Sequence, residues 1–174
     1  MGTRRKMWQP IVLGLVGAVV FYGLALVVVR LASPRPSLGI SPEGKFRDCP
    51  NKPNCVCSQS TDPNHAIPPL RYSGDGTEAL ARLVELLSAH LPRCTLLTHE
   101  RLHGYDYARF ECRTLVLRYI DDLELVVDPT ARVIHLRSAS RLGYSDLGVN
   151  RRRVAEVVAL AQRQLPQHFP ASLS

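Results

Sequence analysis

From Ile11 to Val29 the chain runs nineteen residues without a charged side chain, and no other feature constrains its folding as strongly. At ~1.5 Å of rise per residue, a helix of that length covers ~28 Å, close to the ~30 Å hydrocarbon core of a bilayer. Gly14, Gly17 and Gly23 are the only interruptions. Trp8 stands at one end, where an indole prefers the membrane interface, and Arg30 closes the other. A cleaved signal peptide is the competing reading, but its apolar stretch is usually ~7–15 residues long and ends at an A-x-A site. The nearest such site, Leu31-Ala32-Ser33, would leave Pro34 after the cut. The expectation is an uncleaved single-pass anchor that meets lipid through residues 11–29. Gly14 and Gly17 are too close together for a G-x-x-x-G pairing face.

Charge supports the anchor and argues against nucleic acid. The net charge is +7, yet the first forty residues hold five basic and no acidic groups: Arg4, Arg5, Lys6, Arg30 and Arg35. Seventeen basic and fifteen acidic residues remain, a net of only +2. Across the span Arg4, Arg5 and Lys6 face Arg30, Arg35 and Lys45, nearly a tie by the positive-inside count. The tighter N-terminal cluster and the free amino terminus tilt the balance towards a cytoplasmic N-terminus. The expected address is a bacterial inner membrane with the domain in the periplasm. Arg151, Arg152 and Arg153 form a basic run without interleaved aromatics, which reads as a solvated helix start and not as a nucleic-acid contact.

Between Ser33 and Gly44 three prolines, two glycines and three serines in twelve residues preclude a regular element and suggest a semi-extended tether. The expected organisation is a basic tail over 1–9, a transmembrane helix over 10–31, a linker over 32–45, one domain over 46–165 and a tail over 166–174.

Within the domain, Thr77 is placed to cap a helix in which Leu80, Leu83, Val84, Leu87 and Leu91 recur at helical spacing before Pro92. Asn150 is placed to cap a second, with Val154, Val157, Val158, Ala161 and Leu165 on one face. Strand-like runs lie between them: Cys94–His99, Tyr105–Glu111, Leu115–Ile120, Leu123–Asp128 and Arg132–Ser138. Short strands with so little chain between them must pair antiparallel. The fold class is therefore α+β: four or five antiparallel strands with two helices on one face.

Two polar constellations stand out. Arg137, Ser138, Ser140, Arg141, Tyr144, Ser145, Asp146 and Asn150 lie where the last strand meets the last helix. Guanidiniums, hydroxyls and amides at a helix start suit a carboxylate or phosphate. The same groups also suit one another, with Asp146 on Arg141 and Asn150 as a cap. Asp121, Asp122 and Glu124 form the second set. Adjacent aspartates on a strand face opposite ways, so only Asp122 and Glu124 share a side. A cation or paired-carboxylate site competes there with salt bridges to Arg137 or Arg141. His65, ahead of Ile67-Pro68-Pro69, is a base or ligand on one reading and a loop anchor on the other.

Two stretches carry a family resemblance. Cys49-Pro50-Asn51-Lys52-Pro53-Asn54-Cys55-Val56-Cys57-Ser58, with His65-Ala66-Ile67-Pro68-Pro69, resembles the opening of bacterial domain-of-unknown-function family 1499. Tyr119–Glu124 and the run Arg137–Arg151 resemble its later signature. The resemblance covers roughly Phe46 to Leu165. It implies an exported or membrane-anchored bacterial domain and no established activity. Cys57 departs from the family, which usually has a small polar residue there.

Five cysteines are present: Cys49, Cys55, Cys57, Cys94 and Cys112. Cys49, Cys55, Cys57 and His65 would make a metal quartet in a reducing compartment, but Cys-x-Cys lacks the usual knuckle spacing. In an oxidising one, Cys49–Cys55 is the simpler reading, stabilising by roughly 2 kcal/mol, with Cys94–Cys112 at roughly 3 if the strand register allows it. Metal and redox roles stay open beside this. No metal or cofactor is expected.

No G-x-S-x-G, P-loop, H-E-x-x-H or dinucleotide fingerprint occurs, and the balance leans away from catalysis. The leading expectation is a non-catalytic, membrane-anchored envelope module that binds a small polar or anionic ligand, or an envelope protein. The alternatives are a hydrolase using His65 with Asp121, Asp122 or Asp146, and an accessory subunit of a membrane complex.

Overall fold

The computed structural model describes residues 3–33, 36 and 38–170, without the side chains of 3–7. The side chains of the Arg4-Arg5-Lys6 cluster, and all of Pro34, Arg35, Ser37 and the last four residues, thus lie outside the description. Helix α1, Thr3–Ala32, contains a segment, Trp8–Ala32, that is long and apolar enough to cross a membrane. Most of its apolar side chains stand clear of the protein, Leu13 at 71% and Phe21 at 76% exposure, as a lipid-facing surface requires, whereas Val29 near its end is buried.

Beyond α1 the chain is α+β. Strands β1 (Cys55–Cys57) and β2 (Leu70–Arg71) precede helix α2 (Gly76–His90). Strands β3 (Cys94–Leu102), β4 (Tyr105–Arg113), β5 (Ile120–Asp128) and β6 (Val133–Ser140) lead to helix α3 (Val149–Gln164). The sheet runs β1-β6-β5-β4-β3, every pair antiparallel, and β2 also pairs with β6. The expected class holds. The sheet gains β1 and β2, two pieces too short to show a period-two pattern.

Helices α2 and α3 cover one sheet face. Leu80, Leu83 and Leu87 of α2 and Val157 and Ala161 of α3 are fully buried against Phe110, Leu123, Leu125 and Leu136. A smaller cluster on the opposite face joins Ile40, Phe46, Cys57, Tyr107 and Val126. The linker's second half is therefore not a free tether. A Gly44 turn at φ +73° lets Ile40 bridge to Phe46, and both side chains bury on the sheet.

Three local expectations are corrected. Leu115–Ile120 is not a strand. Leu115–Tyr119 form the β4–β5 connection, closed by Thr114 N–H to Tyr119 O at 3.0 Å and turned by Arg118 at φ +52°, and Ile120 opens β5. Asp75, not Thr77, caps α2 by accepting from Glu78 N–H at 2.8 Å, while the Thr77 hydroxyl donates to Asp106. Asn150 is not a cap but a buried first-turn residue of α3. Asp146 takes the capping role, accepting from the N–H groups of Gly148 at 2.9 Å and Asn150 at 2.7 Å.

Disulfides join Cys49 to Cys55 and Cys94 to Cys112, and Cys57 remains as a buried thiol. Cys94 sits directly opposite Cys112 in the β3–β4 register, which is the condition the second bridge requires. Replacing Cys94 and Cys112 together by alanine is expected to lower stability by about 3 kcal/mol. Urea unfolding checks this, and an unchanged midpoint would show that the bridge contributes nothing.

Candidate functional site

The central strand β5 is apolar enough to be buried yet carries three buried carboxylates: Asp121, Asp122 and Glu124 are 1%, 2% and 0% exposed. A buried carboxylate is tolerable only when paired and hydrogen-bonded. Neighbouring elements supply the partners, separately on the two sheet faces.

Away from the helices, Arg109 of β4 reaches Asp122 at 2.9 Å, and Arg141, just beyond β6, meets both Asp122 oxygens at 2.7 Å each. Arg141 also reaches Glu111 at 3.0 Å, and Glu111 takes Arg113 at 2.8 Å. One residue pair along, Arg137 of β6 pairs with Glu124 at 2.8 Å. The Tyr107 hydroxyl donates to the other Glu124 oxygen at 2.8 Å, and Gly39 N–H donates there too, tying the linker to the sheet. Burial and the Glu124 carboxylate push the Tyr107 phenol far above its ordinary range. The expected salt bridges from this acidic set to Arg137 and Arg141 form.

Beneath α3, Asp121 pairs with Arg153 at 2.6 Å. Arg153 also donates to Ser138 Oγ and to Asn150 Oδ1. The Asn150 amide nitrogen donates to Asn54 O and to the Ser140 hydroxyl, both at 3.0 Å. Asn54 in turn donates to Gly143 O. The cysteine-motif loop, β6, the signature loop and α3 are thus stitched by one polar cluster. The expected Asp146–Arg141 pair does not form, because Asp146 is spent on the α3 amides. His65 stands apart from both sets. Its ring nitrogens face Lys52 O at 3.1 Å and Asp62 at 3.2 Å, the contacts of a loop anchor.

Sequence reasoning missed Arg109, Glu111, Tyr107, Asn54 and Arg153. Arg153 hid in a basic run read as solvated. Its spacing of three from Asn150 puts both on one helix face, and that was the available signal.

Two arrangements could suggest chemistry. Ser58 Oγ lies 3.0 Å from His135 Nδ1, and His135 Nε2 lies 3.7 Å from Asp128. Burial pulls the imidazole below its ordinary value, as a base would need. But the Ser58 oxygen already accepts from Leu136 N–H, and the N–H groups of Ser58, Gln59 and Ser60 are spent on Leu136 O, Cys57 Sγ and Cys57 O. No amide there is left to hold an oxyanion, and the trio clamps β1 to β6. The metal quartet is likewise not assembled, since Cys49 and Cys55 are bonded to each other. Burial raises the Cys57 thiol, which disfavours a reactive thiolate.

Of the openings that touch the charged network, one lies over Arg137 and Arg141. A cleft of about 260 Å³ is lined by Arg47, Asp48, Asp122, Arg137, Ser140 and Arg141, with Pro36 and Leu38 of the linker above. The network on this face sets four guanidiniums, of Arg109, Arg113, Arg137 and Arg141, against the three carboxylates of Glu111, Asp122 and Glu124. The Arg137 Nε is buried with no hydrogen-bond partner among the described residues. Of the residues expected to bind a ligand, Asp122, Arg137, Ser140 and Arg141 meet here. Ser138, Asn150 and Asp121 face α3, Asp146 caps it, Glu124 is enclosed, and His65 lies in its own loop.

The match to known families follows the same residues. Positions 45–160 fit the family described as protein of unknown function (DUF1499), and the chain belongs to that family. No curated protein and no solved structure matches the chain at a significant level.

Two outcomes check the network. Asn150→Ala strips partners from buried Ser138 and from half-buried Ser140 and Arg153, and is expected to cost about 3 kcal/mol. A loss below 1 kcal/mol on the same urea assay would leave the cluster without energetic weight. Glu111 adds a pH dependence. Burial pushes its carboxyl up, but Arg113 and Arg141 outweigh burial and hold it below its ordinary 4.5. A depressed carboxylate contributes stability above 4.5 that is lost as pH falls through the lower folded value. Between neutral pH and that acidic window, wild type should lose more stability than Glu111→Gln. Parallel profiles would contradict the pairing.

Proposed function

We propose that the chain is a single-pass protein of a bacterial inner membrane, N-terminus in the cytoplasm and domain in the periplasm. On this reading the domain is a non-catalytic module that holds a small anion, a carboxylate or a phosphate, in the cleft over Arg137 and Arg141. The observation that carries the anion is the buried Arg137 Nε, which has no acceptor among the described residues, on a side chain that lines an opening. An anionic oxygen in the cleft supplies that acceptor and neutralises the surplus guanidinium charge. A carboxylate side chain of a neighbouring envelope protein would satisfy the same donors.

The address draws on other features. An apolar helix follows a basic cluster of Arg4, Arg5 and Lys6, and the domain behind it carries two disulfides, which persist in oxidising compartments. The polar signature serves the fold first. Most of its groups satisfy one another, and the Arg137–Arg141 edge is the part offered to an anion on this reading.

A thermal-shift series on the full chain in mild detergent, with inorganic phosphate and simple dicarboxylates, tests the cleft. A ligand at about 100 times its Kd stabilises by ~2.7 kcal/mol. Arg47→Ala, at an exposed wall position, is expected to weaken binding about tenfold without lowering the ligand-free melting temperature. No shift with any anion, together with no crosslinked envelope partner, would sink the reading.

A further inference from the structure

The β4–β5 connection, Thr114–Tyr119, presents Leu115 at 73% and Val116 at 62% exposure. It lies beside α1. Its Val116 carbonyl accepts a hydrogen bond from the Tyr22 hydroxyl at 2.8 Å, and Tyr22 lies in the middle of α1. Whatever surrounds α1 at that height therefore surrounds Leu115 and Val116. With Trp8 at one membrane boundary, ~20 residues of rise span the ~30 Å core and end near Val28. Tyr22, six residues earlier, then sits ~9 Å below the domain-side boundary, within the ~5–10 Å depth of shallow interfacial insertion.

The surroundings suit that depth. A cleft of about 200 Å³ between α1 and the domain is lined by Leu26, Val27, Arg30, Arg113, Arg118 and Ile120. It thus groups apolar side chains with three guanidiniums that can rise to lipid phosphates. On the loop's other side Leu115, Val116 and Leu117 share a cleft of about 400 Å³ with Leu147, which is 84% exposed and held at φ +54°. A leucine in the left-handed region aimed outward is a costly choice unless its side chain has a partner. Backbone in lipid needs internal partners, and part of the loop's backbone has them. Thr114 N–H donates to Tyr119 O, Tyr119 N–H to the Thr114 hydroxyl, and Tyr22 caps Val116 O. The tether is also short. Six residues separate Ser33, the first residue after α1, from Ile40, which is already packed on the sheet.

We propose that the Thr114–Tyr119 loop is a second membrane element. Leu115 and Val116 insert into the domain-side leaflet beside α1, Arg30, Arg113 and Arg118 meet anionic headgroups, and the domain is fixed edge-on against the bilayer. This rests on α1 spanning a membrane and is independent of the anion cleft.

The test uses the full chain in vesicles of phosphatidylethanolamine and phosphatidylglycerol, with lipids brominated near the headgroup end of their acyl chains. Trp8 is the one tryptophan, so wild type reports α1 and Trp8→Phe with Val116→Trp reports the loop. The expected result is loss of emission to brominated lipid in both proteins and little loss to aqueous iodide. Loop emission quenched by iodide but not by brominated lipid, with Trp8 still quenched by lipid, would overturn the loop insertion and leave the anchor standing. Lipid quenching of neither would overturn both. Should Val116→Trp melt differently from wild type, Leu115→Trp replaces it under the same criteria.

Discussion

Three buried carboxylates on strand β5 set the terms for the rest of this domain. Asp122 and Glu124 point to one sheet face and Asp121 to the other. Every guanidinium that answers them comes from a different stretch of chain: Arg109 from β4, Arg137 from β6, Arg141 from the loop beyond it and Arg153 from α3. A buried ion pair adds little net stability over an apolar pair, because desolvation offsets much of the attraction. What it does add is intolerance of error. A one-residue slip of β5 would turn each acid to the wrong face and strand it without a partner. Strand register, the path of the signature loop and the docking of α3 are thereby coupled.

That coupling explains how one polar motif serves both fold and surface. Ser138, Ser140, Asn150 and Arg153 close on Asp121 and on Asn54 of the cysteine-motif loop, so the two halves of the family signature are spatial neighbours. Arg137 and Arg141 look the other way, toward the linker, where the network carries surplus positive charge. The linker is part of that face, since Gly39 N–H binds Glu124 and Ile40 buries beside Phe46. A tether so engaged holds the domain close to α1.

Much of this was legible before the fold. Leucine spacing marked α2, valine and alanine spacing marked α3, and the uncharged run marked α1, because long periodic segments leave a strong pattern. The opposite facing of Asp121 and Asp122 followed from strand geometry alone. The caps were not legible, because Asp75, Thr77, Asp146 and Asn150 are all suitable residues and only tertiary contacts select among them. Leu115–Ile120 misled for a physical reason: lipid and a protein core select the same apolar side chains, so an outward apolar loop reads as a strand. Strands β1 and β2 were too short to announce themselves. Arg153 looked solvated because its carboxylate partner is 32 residues away in sequence.

The most direct measurement is a double-mutant cycle on the soluble side of the network. Asp122→Ala and Arg141→Ala are each expected to cost about 3–5 kcal/mol, since each leaves a buried charge behind. The double variant should then be more stable than the sum of the two losses predicts, by about 2 kcal/mol or more. Losses that add to within ~0.5 kcal/mol would mean the two side chains do not act as a pair, and the account of the domain built on them would fail.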